Sequence, residues 1–279
     1  MRTDMVEGKK LPPQVAQRQA AREAARLEAE RLKAAQAAKE RRGRLIGVGI
    51  GAAVVVAAIV VVVLVLQSTQ GSGAATRPLG ANDAGAIVLG QDLKPGGEPA
   101  GGAVVVRLYS DYLCPNCAQV ERRLAASLEE LAAAGEIKLE IQAVDFLARL
   151  SSGTEYPKRA ANAAATVANY APEQFLAFHA KLYEADIQPG ENTEGLTDER
   201  LAEVAQEVGV PAEVTDRFTA NEFAEWVEYA TSTAISDGVG GTPSIRMGPS
   251  DSKLTAVKDP YSLNPEQAIA RVRDGQSPD

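Results

Sequence analysis

The stretch Val104-Val105-Val106-Arg107-Leu108-Tyr109-Ser110-Asp111-Tyr112-Leu113-Cys114-Pro115-Asn116-Cys117 decides how the rest of this 279-residue chain is read. From Ala103 to Tyr109 it is nearly all apolar and β-branched, the pattern of a strand buried on both faces of a sheet. A short turn follows, and two cysteines stand two residues apart where a helix should begin. Beyond them Cys117, Val120, Leu124, Leu128 and Leu131 recur at spacings of three and four, with charged residues between, so an amphipathic helix is expected up to Gly135. Ile137, Leu139, Ile141 and Ala143 then alternate with Lys138, Glu140 and Gln142, which predicts a half-exposed strand. Strand, helix and strand within about 40 residues make a βαβ unit.

Cys114 and Cys117 are the only cysteines, and the only histidine, His179, lies about 60 residues further on. A tetrahedral metal site would lack ligands, so no metal is expected. An inert bridge and a redox dithiol remain. The redox reading has a physical basis: Cys114 would sit in the first turn of the helix, where unpaired N–H groups and the helix dipole favour a thiolate. Pro115 suits the first helical position because its missing N–H is not needed there. Cys117, one turn deeper, would be the resolving thiol.

Working towards the N-terminus, Gln67 to about residue 102 is rich in Gly, Ala, Ser and Pro and reads as a linker, with a short strand near 86–89 that would pair onto the domain edge. Leu45–Leu66 carries no charge. Its 22 residues would reach about 33 Å as a helix, enough for a bilayer core of about 30 Å. Lys39, Arg41, Arg42 and Arg44 crowd its N-terminal edge, and no Lys or Arg follows it until Arg77. The expectation is a single span in the plasma membrane, with residues 1–44 cytoplasmic and the rest outside. The small residues of 71–75 leave cleavage after the span open. Residues 14–42 favour a solvated helix, since Leu27 and Leu32 are too few for a coiled-coil seam. An arm for anionic headgroups or a cytosolic partner is the alternative.

Towards the C-terminus, about 150–238 reads as a helical insertion, with Pro157, Pro172 and Thr197 at helix starts and Phe218, Phe223 and Trp226 as core anchors. Two short strands follow, Ser244–Met247 and Leu254–Val257, then a helix opened by Asn264-Pro265.

Gly241-Thr242-Pro243 immediately precedes the first of those strands. With Cys114-Pro115-Asn116-Cys117 after a buried strand and a helical insertion between, the chain resembles the DsbA-like thiol:disulfide oxidoreductases of bacterial envelopes over roughly residues 86–274. The resemblance implies an α/β, thioredoxin-like fold over 103–274 carrying the helical insertion and preceded by the membrane helix. It also implies a cis Thr242–Pro243 peptide against the dithiol, with the Thr242 backbone pairing to an extended substrate segment. Exported cysteine-containing proteins would be the substrates, a quinone-linked membrane reoxidase the electron acceptor, and no cofactor is implied. The most oxidising members carry His where this chain has Asn116. The expected potential therefore lies between the thioredoxin-like and DsbA-like limits of about −270 and −120 mV.

The charge pattern excludes other partners. Residues 1–44 hold 12 Lys and Arg against 6 Asp and Glu, whereas the part beyond residue 66 holds 17 against 31. A globular part this acidic argues against nucleic acid as a partner. Asp111 is a candidate modulator of the thiols, with a turn or cap role as the alternative, and Tyr112 and Leu113 are candidates for an apolar rim that binds substrate. His179 reads as a packing or surface residue and not a catalytic one. Disulfide introduction is the expected activity. Isomerase or reductase action of the same dithiol, or a tethered binding or chaperone module with an inert bridge, stand as alternatives.

Overall fold

The computed structural model describes residues 75–279. The basic arm, the span at 45–66 and the first part of the linker lie outside the described residues. Among the described residues no helix is long and apolar enough to cross a membrane.

Strand β1 (Ile87–Val88), β2 (Val104–Ser110) and β3 (Ile137–Ala143) are followed, after the helical insertion, by β4 (Ser244–Gly248) and β5 (Thr255–Ala256). They form one sheet in the order β1-β3-β2-β4-β5. β2 lies at its centre, parallel to β3 with Val104 opposite Ile137, and antiparallel to β4 with Tyr109 opposite Ser244. Every residue of β2 is buried. The crossover between β2 and β3 is helix α1 (Pro115–Ala133), whose buried residues include Cys117, Val120, Leu124 and Leu128.

The insertion contributes α2 (Tyr156–Tyr170), α3 (Phe175–Lys181), α4 (Asp198–Glu207), α5 (Ala212–Thr215) and α6 (Ala224–Ser236), and α7 (Pro265–Arg273) closes the domain. α2 is buried nearly all round, which its run of alanines permits by letting neighbouring helices approach closely. Thr197 caps α4 by accepting from Arg200 N at 3.2 Å. Asn264 caps α7 by accepting from Gln267 N at 2.9 Å. α1 and α7 pack together on one face of the sheet, while α6 packs against β3.

β3 departs from the half-exposed reading. Glu140 and Gln142 are fully buried. Alternation marks a polar face, and here that face meets α6 and the turn after β4 instead of water. Gln142 Nε2 donates to the carbonyls of Ala84 and Ala230 at 2.8 Å each. Glu140 pairs with Arg107 at 2.6 Å and Lys138 at 2.9 Å.

Residues 75–102, expected as part of a linker, fold onto the sheet edge, where the short strand expected near 86–89 is present as β1. Ala86, Ile87 and Leu89 are buried there, and β1 pairs antiparallel with β3. Leu79 N donates to Asn169 Oδ1 at 3.0 Å. Gly80 turns with φ +78° so close to Val88 that a Cβ would lie 2.9 Å from its carbonyl oxygen. Gly80, Gly85 and Gly96, which suggested a free tether, turn the chain with positive φ instead.

Candidate active site

β2 ends at Ser110, and three residues lead into α1. Asp111 fixes this turn. Its carbonyl accepts from Cys114 N at 3.0 Å. Its carboxylate accepts from Leu113 N at 2.9 Å and, across the loop after β3, from Leu147 N at 2.8 Å. Cys114 then occupies the N-cap with an extended backbone, φ −81° and ψ 113°, and Pro115 takes the first helical position. Pro115 and Asn116 are exposed, Cys117 faces the core, and both cysteines are unbridged.

The two thiols are driven apart electrostatically. The thiol of Cys117 donates to Cys114, and this, with the backbone N–H groups of Cys117 and Asn116 and the side-chain hydroxyl of Thr242, outweighs burial and lowers Cys114 to about 6. Burial, and then the neighbouring Cys114 sulfur, push Cys117 far upwards, so it keeps its proton. Beneath them Asp111 is completely buried. Burial raises its carboxyl to about 7, against its two backbone donors and with the help of the Cys114 and Asp145 charges. Among the described residues no cluster of side chains could hold a metal ion.

The third part comes from 128 residues further along. The Thr242–Pro243 peptide is cis. Because Ser244 pairs with Tyr109, the residues just before β4 are carried to the end of β2 where the dithiol sits. Cys114 Sγ donates to the Thr242 carbonyl oxygen at 3.5 Å. Residues 96–256 match the family model described as thioredoxin, which is more than half of the chain.

The chain belongs to the thioredoxin family. Within it the chain groups with the DsbA-like thiol:disulfide oxidoreductases. The oxidised DsbA of Mycobacterium tuberculosis is 28% identical over 67% of this chain and 92% of that one, with a TM-score of 0.54. The reduced DsbG of the same organism is 26% identical over 69% of this chain and 89% of that one, with a TM-score of 0.53. Oxidised BdbD from Bacillus subtilis, 22% identical over 71% and 98%, shares the fold with a TM-score of 0.56. Curated proteins compared by sequence give no match.

In this thioredoxin-family domain the structure brings Cys114, Cys117, Pro115, Asn116, Asp111, Thr242 and Pro243 to one end of the sheet. Tyr112 and Leu113 do not form a substrate rim: both are fully buried. Tyr112 points into the insertion, where its hydroxyl is 2.8 Å from His179 Nδ1 and its ring stacks on Tyr183. A hydroxyl with a buried partner and a ring with a stacking face gain more inside than on the rim. His179 is a buried packing residue, as its apolar neighbours suggested, lying over Phe175 and 3.4 Å from Glu121 on α1. Gln188, in the loop after α3, reaches the Cys114 carbonyl at 2.7 Å. No local motif marks it.

Proposed function

We propose that this protein introduces disulfide bonds into exported cysteine-containing proteins, from a domain held outside the plasma membrane by residues 45–66. The observation that carries this reading is the split between the thiols: Cys114 lowered to about 6 beside Thr242, and Cys117 held protonated below it. At pH 7 about nine-tenths of Cys114 is then thiolate, a stable leaving group.

In the oxidised protein a client thiolate attacks the Cys114 sulfur of the Cys114–Cys117 bond. That bond breaks, and Cys117 takes up a proton as it leaves. A second client thiolate attacks the client sulfur of the mixed disulfide, releasing Cys114 as the thiolate. The client loses two electrons and gains a disulfide, and the dithiol is reduced. The Thr242 backbone beside the cis proline pairs with the extended client segment, which admits many sequences. A quinone-linked membrane reoxidase removes the two electrons. Asp111 is the candidate modulator of this exchange.

Asn116 can donate a hydrogen bond but cannot become a cation, so the potential falls between about −270 and −120 mV. Equilibration with glutathione buffers checks this, and a value outside the interval removes the argument from Asn116. The decisive experiment is reoxidation of reduced ribonuclease by the full-length protein. The expected result is recovery of ribonuclease activity that Cys114→Ser abolishes. Equal recovery with and without Cys114, or none from the wild type, sinks the oxidase reading.

A further inference from the structure

Gln188 stands apart from the two cysteine and proline motifs, 74 residues from the cysteine it touches. Its Nε2 donates to the carbonyl oxygen of Cys114 at 2.7 Å, an oxygen that also accepts from Cys117 N at 3.1 Å and Ala118 N at 3.3 Å in the first turn of α1. The loop carrying it is itself anchored. Gln188 N donates to the Glu184 carbonyl at 2.9 Å, and the preceding Ile187 is buried. Cys114 is therefore held at two atoms by two distant segments, its oxygen by the helical insertion and its sulfur by Thr242.

We propose that Gln188 is a positioning residue of the dithiol: anchored by the insertion, its amide fixes the Cys114 backbone, with the positive end of its dipole on the carbonyl oxygen. The inference rests on the reading of Cys114 as the reactive thiol. A carboxamide nitrogen carries two N–H donors, of which the Cys114 oxygen takes one. Cys114 is almost fully removed from water, so a fixed dipole next to it acts with little screening. The backbone N–H groups of Cys117 and Asn116 favour the charged form of the Cys114 sulfur, and they can do so only while the backbone at this carbonyl is held in place. The insertion thus takes part in setting the chemistry of Cys114 as well as covering the sheet.

The test is the pH dependence of Cys114 alkylation in the reduced full-length protein, compared with Gln188→Met, which keeps length and loses the donors, and Gln188→Glu, which reverses the dipole. The midpoint is expected to rise by about half a unit to one unit in the Met variant and further in the Glu variant, which slows alkylation at pH 6 about two- to five-fold in the former. Midpoints equal to wild type in both variants, with melting temperatures lowered alike, would make Gln188 a structural tie and overturn the proposal. A rise in the Glu variant alone would also overturn it, because any added charge would do the same. A wild-type Cys114 that fails to alkylate in the mildly acidic range would instead undo the reading of the dithiol, and so the two failures are distinguishable.

Discussion

Two carboxyl groups of this domain are cut off from water, Glu140 in the middle of β3 and Asp111 just beyond the end of β2, and their surroundings are opposite. Glu140 has cations on both sides. Arg107 Nε lies 2.6 Å away and Lys138 Nζ 2.9 Å away, and Asp251 from the turn after β4 joins Lys138 at 2.6 Å and Arg107 at 3.3 Å. Burial raises its carboxyl, and Arg107 and Lys138 pull it back. Among the described residues Asp111 pairs with no cation, only with two backbone N–H groups, and the charges that act on it, from Cys114 and Asp145, are negative. A buried acid with matched cations locks strands together. One left without them, poised at about 7 under a dithiol, can hold or release a proton at physiological pH.

The contrast can be broken most severely at Glu140. Glu140→Ala leaves Arg107 buried without its main partner, and a loss of about 3–5 kcal/mol is expected in urea denaturation of the full-length protein. The double variant Arg107→Met, Glu140→Leu should recover most of that. A single-variant loss below about 1 kcal/mol would show that the ion pair does not hold the sheet.

At Asp111 the expected effect is smaller and opposite in sign. Its folded-state value, raised from 3.8 to about 7, means that its contribution to stability is complete below pH 4 and is lost as pH rises through 7. The oxidised protein, in which Cys114 does not titrate, should lose stability between pH 5 and pH 8. Asp111→Asn should flatten that slope and be about 2–3 kcal/mol more stable at pH 8, somewhat less than the ~4 that the full shift gives. A wild-type profile as flat as that of the variant would remove the distinction between the two acids.

The smallest effect sharpens the link between Asp111 and the thiols. Cys114 is lowered from 9.0 to about 6, so the reduced protein gains stability as pH rises from 6 to 9 and loses it as pH falls through 6. Half-maximal alkylation is expected near pH 6. Removing the negative charge in Asp111→Asn should lower that midpoint by about half a unit, since each charge disfavours the other. An unmoved midpoint would mean that the acid and the thiol titrate independently.

Much of the α/β fold is legible in short-range pattern. The apolar run of β2, the three-and-four spacing of α1 and the alternation of β3 each specify an element, and the helix starts at Thr197 and Asn264 carry their own capping residues. Burial of the polar face of β3 is not legible, because alternation states that Glu140 and Gln142 share a side without saying what covers it. Gly80 and its neighbours read as a tether because glycine supplies both free chain and tight turns, and only the contacts of Ile87 and Leu89 separate the two. At the site, the two cysteines stand out by their spacing. The meeting of Cys114 with Thr242 depends on residues far apart in sequence, so only the family resemblance could suggest it. Tyr112 had no local sign of facing inward, since its partner His179 lies on α3. Gln188 could not have been singled out at all: one glutamine in a loop resembles any other until the fold sets it against Cys114.

The sheet's two outer strands are only two residues long, Ile87–Val88 on one side and Thr255–Ala256 on the other. Bridges from Ala81 to Ile87 and from Leu89 to Pro95 fold further backbone across the first of these margins. Long open margins act as templates on which stray strands add and aggregate. By keeping both margins this short, the domain offers a neighbouring chain little backbone on which to add.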